Sequence, residues 1–429
     1  MQIKSKYLLI NNKKSLELAL VSLKSAKSLS VDTESSGYFT YFSRVCLIQI
    51  NASGQNFIFD PLSNIDLGPL GEVFSDDKIL KIFHSAPDDI KVLKRDFSFQ
   101  FKNIADTMYS SKLLGLEHNS LHFLVQNYHG IELSKTQQKS NWEYRPLQEK
   151  QLVYAALDTV YLESIWEKMR EALEKENLLE EAYSEFERMT VEEYSLREDN
   201  QEVQLHRFPE IQKYSPEERR LILNILQFRE EKAKRMNKAS FRVMNNEYIV
   251  KIVQKKPTEE ELIEKLGKKD GKALFEEIQN PKGELIETIS IPRVNADLNP
   301  EEEVIFQRLK KWRDKVMKHR NIDHSMLLSN KNLISVLQKN PQNIQELENM
   351  NLMSDWKLKN YGPMLLKALK NEPYEYLLKK MTVIKGKKKK KTKGHFLQKK
   401  KGSGETNQKE KSGTDETPNG KPEETESTS

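Results

Sequence analysis

Three acidic sites in the first 160 residues carry side chains of the type that can bind divalent cations. The first is Asp32 and Glu34 in the stretch "LSVDTES", which follows a short apolar run typical of a buried strand. Residues i and i+2 of a strand point to the same face, so both carboxylates lie on one side. Such a pair at a strand end is commonly just solvated, and the other two sites are what favour a chemical role.

The second and third sites lie on predicted helices. In "HSAPDDIKVLKR" a helix starts directly after a strand, where the helix dipole favours Asp88 as a cap and leaves Asp89 to face a pocket. In "YAALD" Tyr154 and Asp158 are four residues apart, so the phenol and the carboxylate share a helical face. Apolar neighbours indicate that this face is covered, and a covered carboxylate needs a partner.

The surrounding pattern predicts an α/β domain over residues 1–205. Up to about residue 85, short β-type runs alternate with turn signals: "SLSVDTE", "RVCLIQI", "QNFIFD" and "ILKIFHSA", with "NASG" between the second and third. Their close spacing predicts an antiparallel meander. From residue 87 the apolar period becomes helical, including one long helix over 147–189 that contains "YAALD". Strands followed by helices predict a mixed sheet flanked by helices.

The next part of the chain repeats itself. Residues 228–257 align with residues 312–341 without a gap at a constant offset of 84, so that Arg229 matches Arg313 and Asn246 matches Asn330. This pattern predicts two all-α domains of one type, over residues 214–285 and 300–381. Neither copy gathers carboxylates, histidines or a glycine-rich loop, so we expect both to be packing or binding modules and the chemistry to lie in the first domain.

The C-terminal tail, residues 385–429, holds thirteen lysines against seven acidic residues, a surplus equal to the net charge of +6 of the 429-residue chain. Its polar composition predicts disorder, lysine-rich first and then acidic. A flexible lysine cluster is typical of a phosphate-backbone binder, although it also serves as a solubilising extension. The candidate nucleic-acid contacts in this cluster are Lys387, Lys388, Lys389, Lys390 and Lys391.

Composition excludes other classes of protein. No window approaches 18 apolar residues and the first residues lack a signal peptide's apolar core, so the sequence predicts a cytoplasmic protein without a membrane anchor. The lone cysteine, Cys46, can form neither an internal disulfide nor a cysteine-rich zinc site. Nothing indicates a small-molecule organic cofactor, and the sequence does not specify an oligomeric state.

The combination of "VDTE", "HSAPDD" and "NWEYRPLQEKQLVYAALD" with two helical repeats resembles bacterial ribonuclease D. This family belongs to the DEDD superfamily of 3′–5′ exonucleases with tyrosine in the third motif, and its helical repeats are HRDC domains. The resemblance implies an RNase H-like fold for the first domain. It places Asp32 and Glu34 in the first motif, Asp89 in the second and Asp158 in the third, with Tyr154 as its catalytic companion.

The resemblance also implies a two-metal hydrolysis of RNA 3′ ends, single-stranded or tRNA-like, releasing nucleoside 5′-monophosphates. Oxygen-only ligands suit Mg²⁺ or Mn²⁺. Asp32 would contact both ions, Glu34 and Asp158 would complete the shell of the first, and Asp89 would act on the second largely through water. Tyr154 would position the attacking water, because an unperturbed phenol is a poor base at neutral pH.

Other residues and functions stay open at this point. Arg145 either clamps a phosphate or ties its own loop down, and His84 is either structural or a phosphate contact. Asp106 is expected to be structural or to contact one of the site residues. The aromatic residues that follow the first motif either stack on a terminal base or pack within their loop: Tyr38, Phe39, Tyr41 and Phe42. The alternative functions are a DNA 3′–5′ exonuclease of the proofreading type and a non-catalytic nucleic-acid-binding protein.

Overall fold

The strand that carries Asp32 and Glu34 belongs to a six-stranded mixed sheet. In chain order the strands are β1 (Tyr7–Ile10), β2 (Ser28–Ser35), β3 (Val45–Ala52), β4 (Gln55–Phe59), β5 (Leu80–Phe83) and β6 (Ile104–Asp106). They lie side by side in the order β1-β4-β3-β2-β5-β6. β2, β3 and β4 form the expected antiparallel meander, and the remaining neighbours are parallel. The predicted mixed sheet with flanking helices is confirmed.

The computed structural model describes residues 6–191, 205–289, 298–381 and 383, all within one unit spanning Met1–Lys387. The predicted tail over 385–429, including its lysine cluster, lies outside the described residues. Among the helices that the structure describes, not one is both long and apolar enough to cross a membrane.

The turns of the meander follow the local sequence. β3 and β4 are joined by a two-residue turn in which Ser53 and Gly54 have φ angles of 50° and 80°. Positive φ at both positions is the type I′ geometry, which matches the twist of a hairpin and explains the "NASG" signal. The edge-side strands β1 and β6 were not predicted, because runs of four and three residues are too short to show an alternating pattern.

Eight helices accompany the sheet in the described part of the N-terminal region. They are α1 (Lys13–Ser25), α2 (Leu70–Ser75), α3 (Ala86–Phe97), α4 (Thr107–Leu113), α5 (Leu121–His129), α6 (Glu149–Val160), α7 (Leu162–Lys175) and α8 (Leu179–Val191). The prediction of one long helix over 147–189 is wrong, because this segment forms three helices. The break before α8 lies at Asn177, whose φ of 57° is left-handed and cannot continue a helix.

The helical repeats have the same construction. The first contains α9 (Pro216–Met236), α10 (Ser240–Val243), α11 (Asn246–Lys255), α12 (Glu259–Leu266) and α13 (Lys268–Gln279). The second contains α14 (Pro300–Arg320), α15 (Asn330–Lys339), α16 (Ile344–Glu348), α17 (Asp355–Leu369) and α18 (Glu375–Leu378). The offset of 84 holds for both ends of α9 and α14 and for both ends of α11 and α15. Both long helices start with proline behind a capping box, as expected for duplicated helix starts.

Each repeat has a hydrophobic cluster of its own, separate from the cluster under the sheet. In the first repeat, α12 and α13 pack so closely that a Cβ at Gly271 would lie 2.5 Å from the backbone nitrogen of Ile263. Glycine at position 271 is therefore required by this close approach. In the second repeat, Ile322 and Met326 join the cluster of the N-terminal region.

The second repeat is attached to α8 through buried ion pairs. Arg320 forms a salt bridge with Glu181, and both side chains are almost completely buried. Nearby, Lys357 lies 2.7 Å from Glu185, again with both side chains buried. The first repeat contacts the N-terminal region elsewhere, through its α9–α10 turn and the loop that follows β2. The two copies thus contact different parts of one α/β core.

Candidate active site

The candidate site lies where β2 leaves the middle of the sheet. Asp32 pairs with Gln49 of β3 and Glu34 pairs with Leu47, after which the register shifts between Glu34 and Ser35. β2 pairs with β5 only over residues 28–30, so its second half is free of β5 where the acidic residues begin. Such a bulge is a common device for redirecting side chains at a sheet rim.

The third carboxylate comes from a helix packed on the sheet. α6 lies against β2, β3 and β4 and presents the buried Asp158 to the two carboxylates of β2. One carboxylate oxygen from each of Asp32, Glu34 and Asp158 lies within 4.8 Å of the other two. The predicted convergence of the first and third acidic sites is therefore present in the geometry.

Burial and mutual repulsion disfavour three negative charges at this place. Burial raises the pKa of Asp32 to about 7. The pKa of Glu34 is raised well above its usual value by burial and by the charges of Asp32 and Asp158, and burial and Asp32 act likewise on Asp158. Carboxylates arranged in this way need cations to ionise together at neutral pH. An oxygen-only donor set fits a hard divalent cation and not a thiolate-seeking one.

Asp89 lies beside this group and is anchored separately. It is buried in the first turn of α3, and its carboxylate accepts a hydrogen bond of 2.6 Å from the hydroxyl of Thr33. Its pKa is raised well above the usual range by burial and by the charge of Asp32. Its neighbour Asp88 is exposed and accepts a hydrogen bond from Ser85. Of the two adjacent acids, Asp89 is thus the one directed to the site.

The start of α3 is held by a residue that lies on another strand. Asp106, at the end of β6, accepts hydrogen bonds from the backbone N–H of Ala86 at 2.7 Å and of Ser85 at 3.3 Å. The same carboxylate caps α4 by accepting from the N–H of Tyr109 at 2.9 Å. The side-chain cap of α3 is therefore Asp106, where the sequence pattern favoured Asp88, and Asp106 fixes the turn from which Asp89 projects.

Tyr154 lies one turn before Asp158 and forms a hydrogen bond with its carboxylate. Burial and the neighbouring carboxylates raise the pKa of the phenol above its usual value. The hydroxyl therefore stays protonated and acts as a donor. Its ring lies 6.1 Å from the buried ring of Trp142, which limits its movement.

The guanidinium group of Arg145 is fully hydrogen-bonded to nearby groups of the protein. Its guanidinium forms a bidentate pair with Asp60, at 2.7 and 2.6 Å, and donates to the carbonyl oxygens of Trp142, Tyr144 and Cys46. These contacts use all five N–H groups. Of the two roles open from the sequence, the geometry favours the one that ties the loop down, and the arginine has no donor left for a phosphate.

His84 has the surroundings of a structural histidine. Its Nδ1 lies 2.9 Å from the hydroxyl of Thr107, which itself donates to the carbonyl of Phe83. Burial lowers the pKa of His84 to about 4, so the ring is neutral near pH 7. A neutral ring that donates to Thr107 contributes no positive charge for a phosphate.

Two residues of this neighbourhood were missed by the sequence reasoning. Thr33 had no signal, because its bond to Asp89 joins residues 56 apart in the chain. Gln49 lies opposite Asp32 on the adjacent strand, hence on the same face of the sheet, and is almost fully buried. Within the described residues its side-chain amide has no hydrogen-bond partner. A polar residue in the apolar run "CLIQI" was the signal that could have found it.

Comparison with known proteins agrees with this geometry. Residues 7–174 match the family model of the 3′–5′ exonuclease domain, and residues 302–369 match that of the HRDC domain. The chain combines a 3′–5′ exonuclease domain with an HRDC domain. The HRDC match covers the second of the two helical repeats, and the carboxylate group lies within the residues that match the exonuclease domain.

Relatives align mainly over the exonuclease domain. The chain is 36% identical over 165 residues to the exosome complex exonuclease RRP6 of Saccharomyces cerevisiae, covering 38% of this chain and 22% of that protein. It is 32% identical over 169 residues to ribonuclease D of Bartonella henselae, covering 39% of this chain and 42% of that protein. The chain thus spans about a fifth of the length of the first of these relatives and less than half of the second.

Solved structures share the fold over a longer part of the chain. Ribonuclease D of Escherichia coli, described as an exoribonuclease involved in structured RNA processing, superposes with a TM-score of 0.56 at 22% identity. The superposition covers 86% of this chain and 100% of that structure. The catalytic core of RRP6 from Trypanosoma brucei gives a TM-score of 0.59 at 23% identity, covering 66% of this chain and 82% of that structure. The fold of this chain is therefore shared with both structures over the aligned parts.

Proposed function

We propose that the chain is a metal-dependent 3′–5′ exoribonuclease of the ribonuclease D type, which removes nucleoside 5′-monophosphates from RNA 3′ ends. The observation that carries this proposal is the convergence of the carboxylates of Asp32, Glu34 and Asp158 within 4.8 Å inside an exonuclease domain. Partly buried acidic groups so close together are costly unless they bind cations, and the relatives named above are an exosome complex exonuclease and a ribonuclease D.

The residues take the following roles in the proposed reaction. Asp32, Glu34 and Asp158 would hold the first divalent cation, and Asp32 with Asp89 would hold the second. Such a pair of cations supplies an acidified water and stabilises the leaving 3′ oxygen when bound. Thr33 fixes the carboxylate of Asp89 through its hydroxyl at 2.6 Å. Tyr154, protonated and donating its hydroxyl hydrogen to Asp158, would orient the attacking water by accepting a hydrogen bond from it.

The finer parts of the proposal concern cation, substrate and location. We assign Mg²⁺ or Mn²⁺ to the carboxylates, because both take all-oxygen ligand sets. The substrate is a single-stranded or tRNA-like RNA 3′ end, with precursor tRNA as the natural example, and the reaction takes place in the cytoplasm. The proposed domains are the exonuclease domain over 1–205, two HRDC-like domains over 214–285 and 300–381, and the tail over 385–429.

The decisive experiment compares RNA with DNA of the same sequence. The 5′-labelled strands are incubated with the full chain, with and without Mg²⁺ or Mn²⁺, and the products are separated by length. We expect an RNA ladder that shortens from the 3′ end, depends on the cation and disappears in Asp32→Asn. Asp88→Asn is the matched control, since Asp88 is exposed and, within the described part of the chain, its side chain is hydrogen-bonded to Ser85.

Each outcome of this experiment has a defined meaning. Equal or faster shortening of DNA would replace the proposal by a DNA exonuclease. Cation-independent cleavage, or full activity of Asp32→Asn, would overturn the assigned site. Binding of RNA by an inactive wild-type chain would favour a non-catalytic nucleic-acid-binding protein.

A further inference from the structure

An aromatic surface forms where the first helical repeat meets the loop after β2. It consists of Tyr38, Phe39 and Phe42 from the exonuclease domain together with Phe241 and Arg242 from the repeat, and we call these five residues the aromatic seam. Tyr38 is 40% exposed, Phe42 48% and Phe241 47%. Three half-exposed aromatic side chains at one contact are unusual for a surface that only packs.

Backbone contacts fix the loop to the repeat. The N–H of Ala239 donates to the carbonyl of Phe39 at 2.9 Å, and the N–H of Phe42 donates to the side chain of Asn237 at 2.9 Å. The Nε of Arg242 donates to the carbonyl of Tyr38 at 2.8 Å. The loop that leaves the acidic strand is thus held in position by a different domain.

Arg242 is also the cation of the seam. Its guanidinium carbon lies 3.6 Å from the ring centroid of Phe39 and 4.8 Å from that of Tyr38. Beyond the bond to Tyr38, its other N–H groups have no hydrogen-bond partner in the described part of the chain. Lys139, from the loop before α6, adds a second charge 5.7 Å from the ring centroid of Tyr38. Exposed aromatic rings interleaved with cations are the features that bind single-stranded nucleic acid.

The seam lies close to the carboxylates along the chain. Tyr38 follows Glu34 by four positions, which limits the distance between their Cα atoms to about 14 Å. An RNA strand whose last phosphate reaches the carboxylates therefore has the seam within a few nucleotides. Phe42 and Phe241 also line a cavity of about 1970 Å³, so the surface is open on that side.

We propose that the aromatic seam binds the single-stranded RNA segment next to the 3′-terminal nucleotide, by stacking on Tyr38, Phe42 and Phe241. This inference rests on the proposed function and adds to it that the first helical repeat is part of the substrate site. Arg242 has two tasks in this proposal: it holds the loop through Tyr38 and stacks on Phe39, and its remaining N–H groups bind a phosphate of the RNA strand.

The test uses Phe241→Ala in the full chain. Binding of a fluorescent oligoadenylate of about twelve nucleotides, within the size range of single-strand sites, is measured in Ca²⁺. Because loss of one base–aromatic stack weakens binding of a single strand, we expect the affinity to fall by about 5-fold or more. Tyr376→Ala is the matched control, since Tyr376 is 52% exposed but lies outside the seam. Cleavage of a dinucleotide, which is too short to reach the seam, should keep its wild-type kcat/KM.

Arg242 is tested by a graded pair of variants. Arg242→Ala should weaken oligoadenylate binding and lower the slope of log K against log salt by about 0.7 for each lost phosphate contact. Arg242→Lys should restore the salt slope but not the stacking on Phe39. The thermal midpoint of each variant is measured in parallel, and Phe241→Ala decides alone if Arg242→Ala fails to fold.

The outcomes separate this inference from the proposed function. Unchanged oligoadenylate affinity in Phe241→Ala, with a wild-type chain that shortens RNA, would overturn the seam and leave the nuclease intact. Weakened binding in the same variant, with a wild-type chain that cleaves no RNA, would support the seam and overturn the nuclease. An equal loss of dinucleotide cleavage would show damage to the carboxylate site and would also overturn the seam.

Discussion

At the scale of single residues, the candidate site is a set of acids whose pKa values are raised, so that a bound cation favours their ionisation. Asp32, Glu34 and Asp158 lie together, and burial raises the pKa of each. Burial and the adjacent carboxylates also raise the pKa of Tyr154, so its phenol stays protonated. A protonated phenol beside Asp158 donates a hydrogen bond and cannot act first as a base. Its proposed task is therefore to hold the water in place.

Replacing Tyr154 by phenylalanine tests this task directly. Tyr154→Phe keeps the ring against Trp142 and removes only the hydroxyl, so the thermal midpoint should stay near wild type. Loss of an orienting group should lower kcat by about 10²-fold or more, whereas RNA affinity in Ca²⁺ should hardly change. Near-normal kcat in this variant would make Tyr154 a packing residue only.

The residues of the site were predictable to the extent that they lie in local patterns. Asp32 and Glu34 were found from strand alternation, and Tyr154 and Asp158 from helical spacing. Thr33 and Gln49 were not found, because their importance depends on a partner across the fold. The same limit applied to Arg145: the sequence offered two roles, and only the positions of Asp60 and three carbonyl groups favoured one.

At the scale of elements, the site depends on how α3 begins. Ser85 has a φ of 72° and supplies no cap, and the first amides of α3 are held by Asp106 at the end of β6. One buried carboxylate thus connects β6, α3 and α4. The order of strands and helices was predictable from apolar periodicity, but this connection was not, because 20 residues separate Asp106 from Ala86.

Asp106→Ala should therefore damage stability and activity together. It leaves the N–H groups of Ala86 and Tyr109 without an acceptor, and we expect a loss of about 2 kcal/mol or more in the free energy of unfolding. Because α3 also carries Asp89, kcat should fall as well. Ser120→Ala is the matched control: it removes the cap of α5 at Phe123, and should cost about 1 kcal/mol while kcat stays unchanged. Full activity of Asp106→Ala, measured well below its thermal midpoint, would show that the cap does not position Asp89.

At the scale of the whole molecule, duplicated helical domains have acquired different contacts. The second copy packs on α8 with the buried pairs Arg320–Glu181 and Lys357–Glu185, whereas the first contacts the exonuclease domain through a loop. The duplication itself was clear from the constant offset of 84. Their different docking was not predictable, because the aligned positions say nothing about which outer face meets the exonuclease domain.

Breaking the ion pair between Arg320 and Glu181 should strongly reduce the stability of the fold. Arg320→Met leaves a buried carboxylate without its partner, and we expect a loss of about 3–5 kcal/mol in the free energy of unfolding measured with urea. The double change Arg320→Met with Glu181→Met should recover most of this loss, since two apolar groups need no partner. Lys315→Met, which breaks the exposed pair with Glu375, should cost less than about 1 kcal/mol. A double variant as unstable as Arg320→Met alone would contradict this account.

The alternation of β2 restricts how this chain can vary over evolutionary time. Asp32 and Glu34 use one face of the strand for the carboxylate group, while Thr33 between them anchors Asp89. A substitution changes one of these contacts, but an inserted or deleted residue exchanges the faces of all the residues that follow. The strand should therefore tolerate substitutions better than insertions or deletions. An added or removed residue next to the acidic end of β2 should be tolerated only in the loop after Ser35, away from the positions that Ala239 and Arg242 hold.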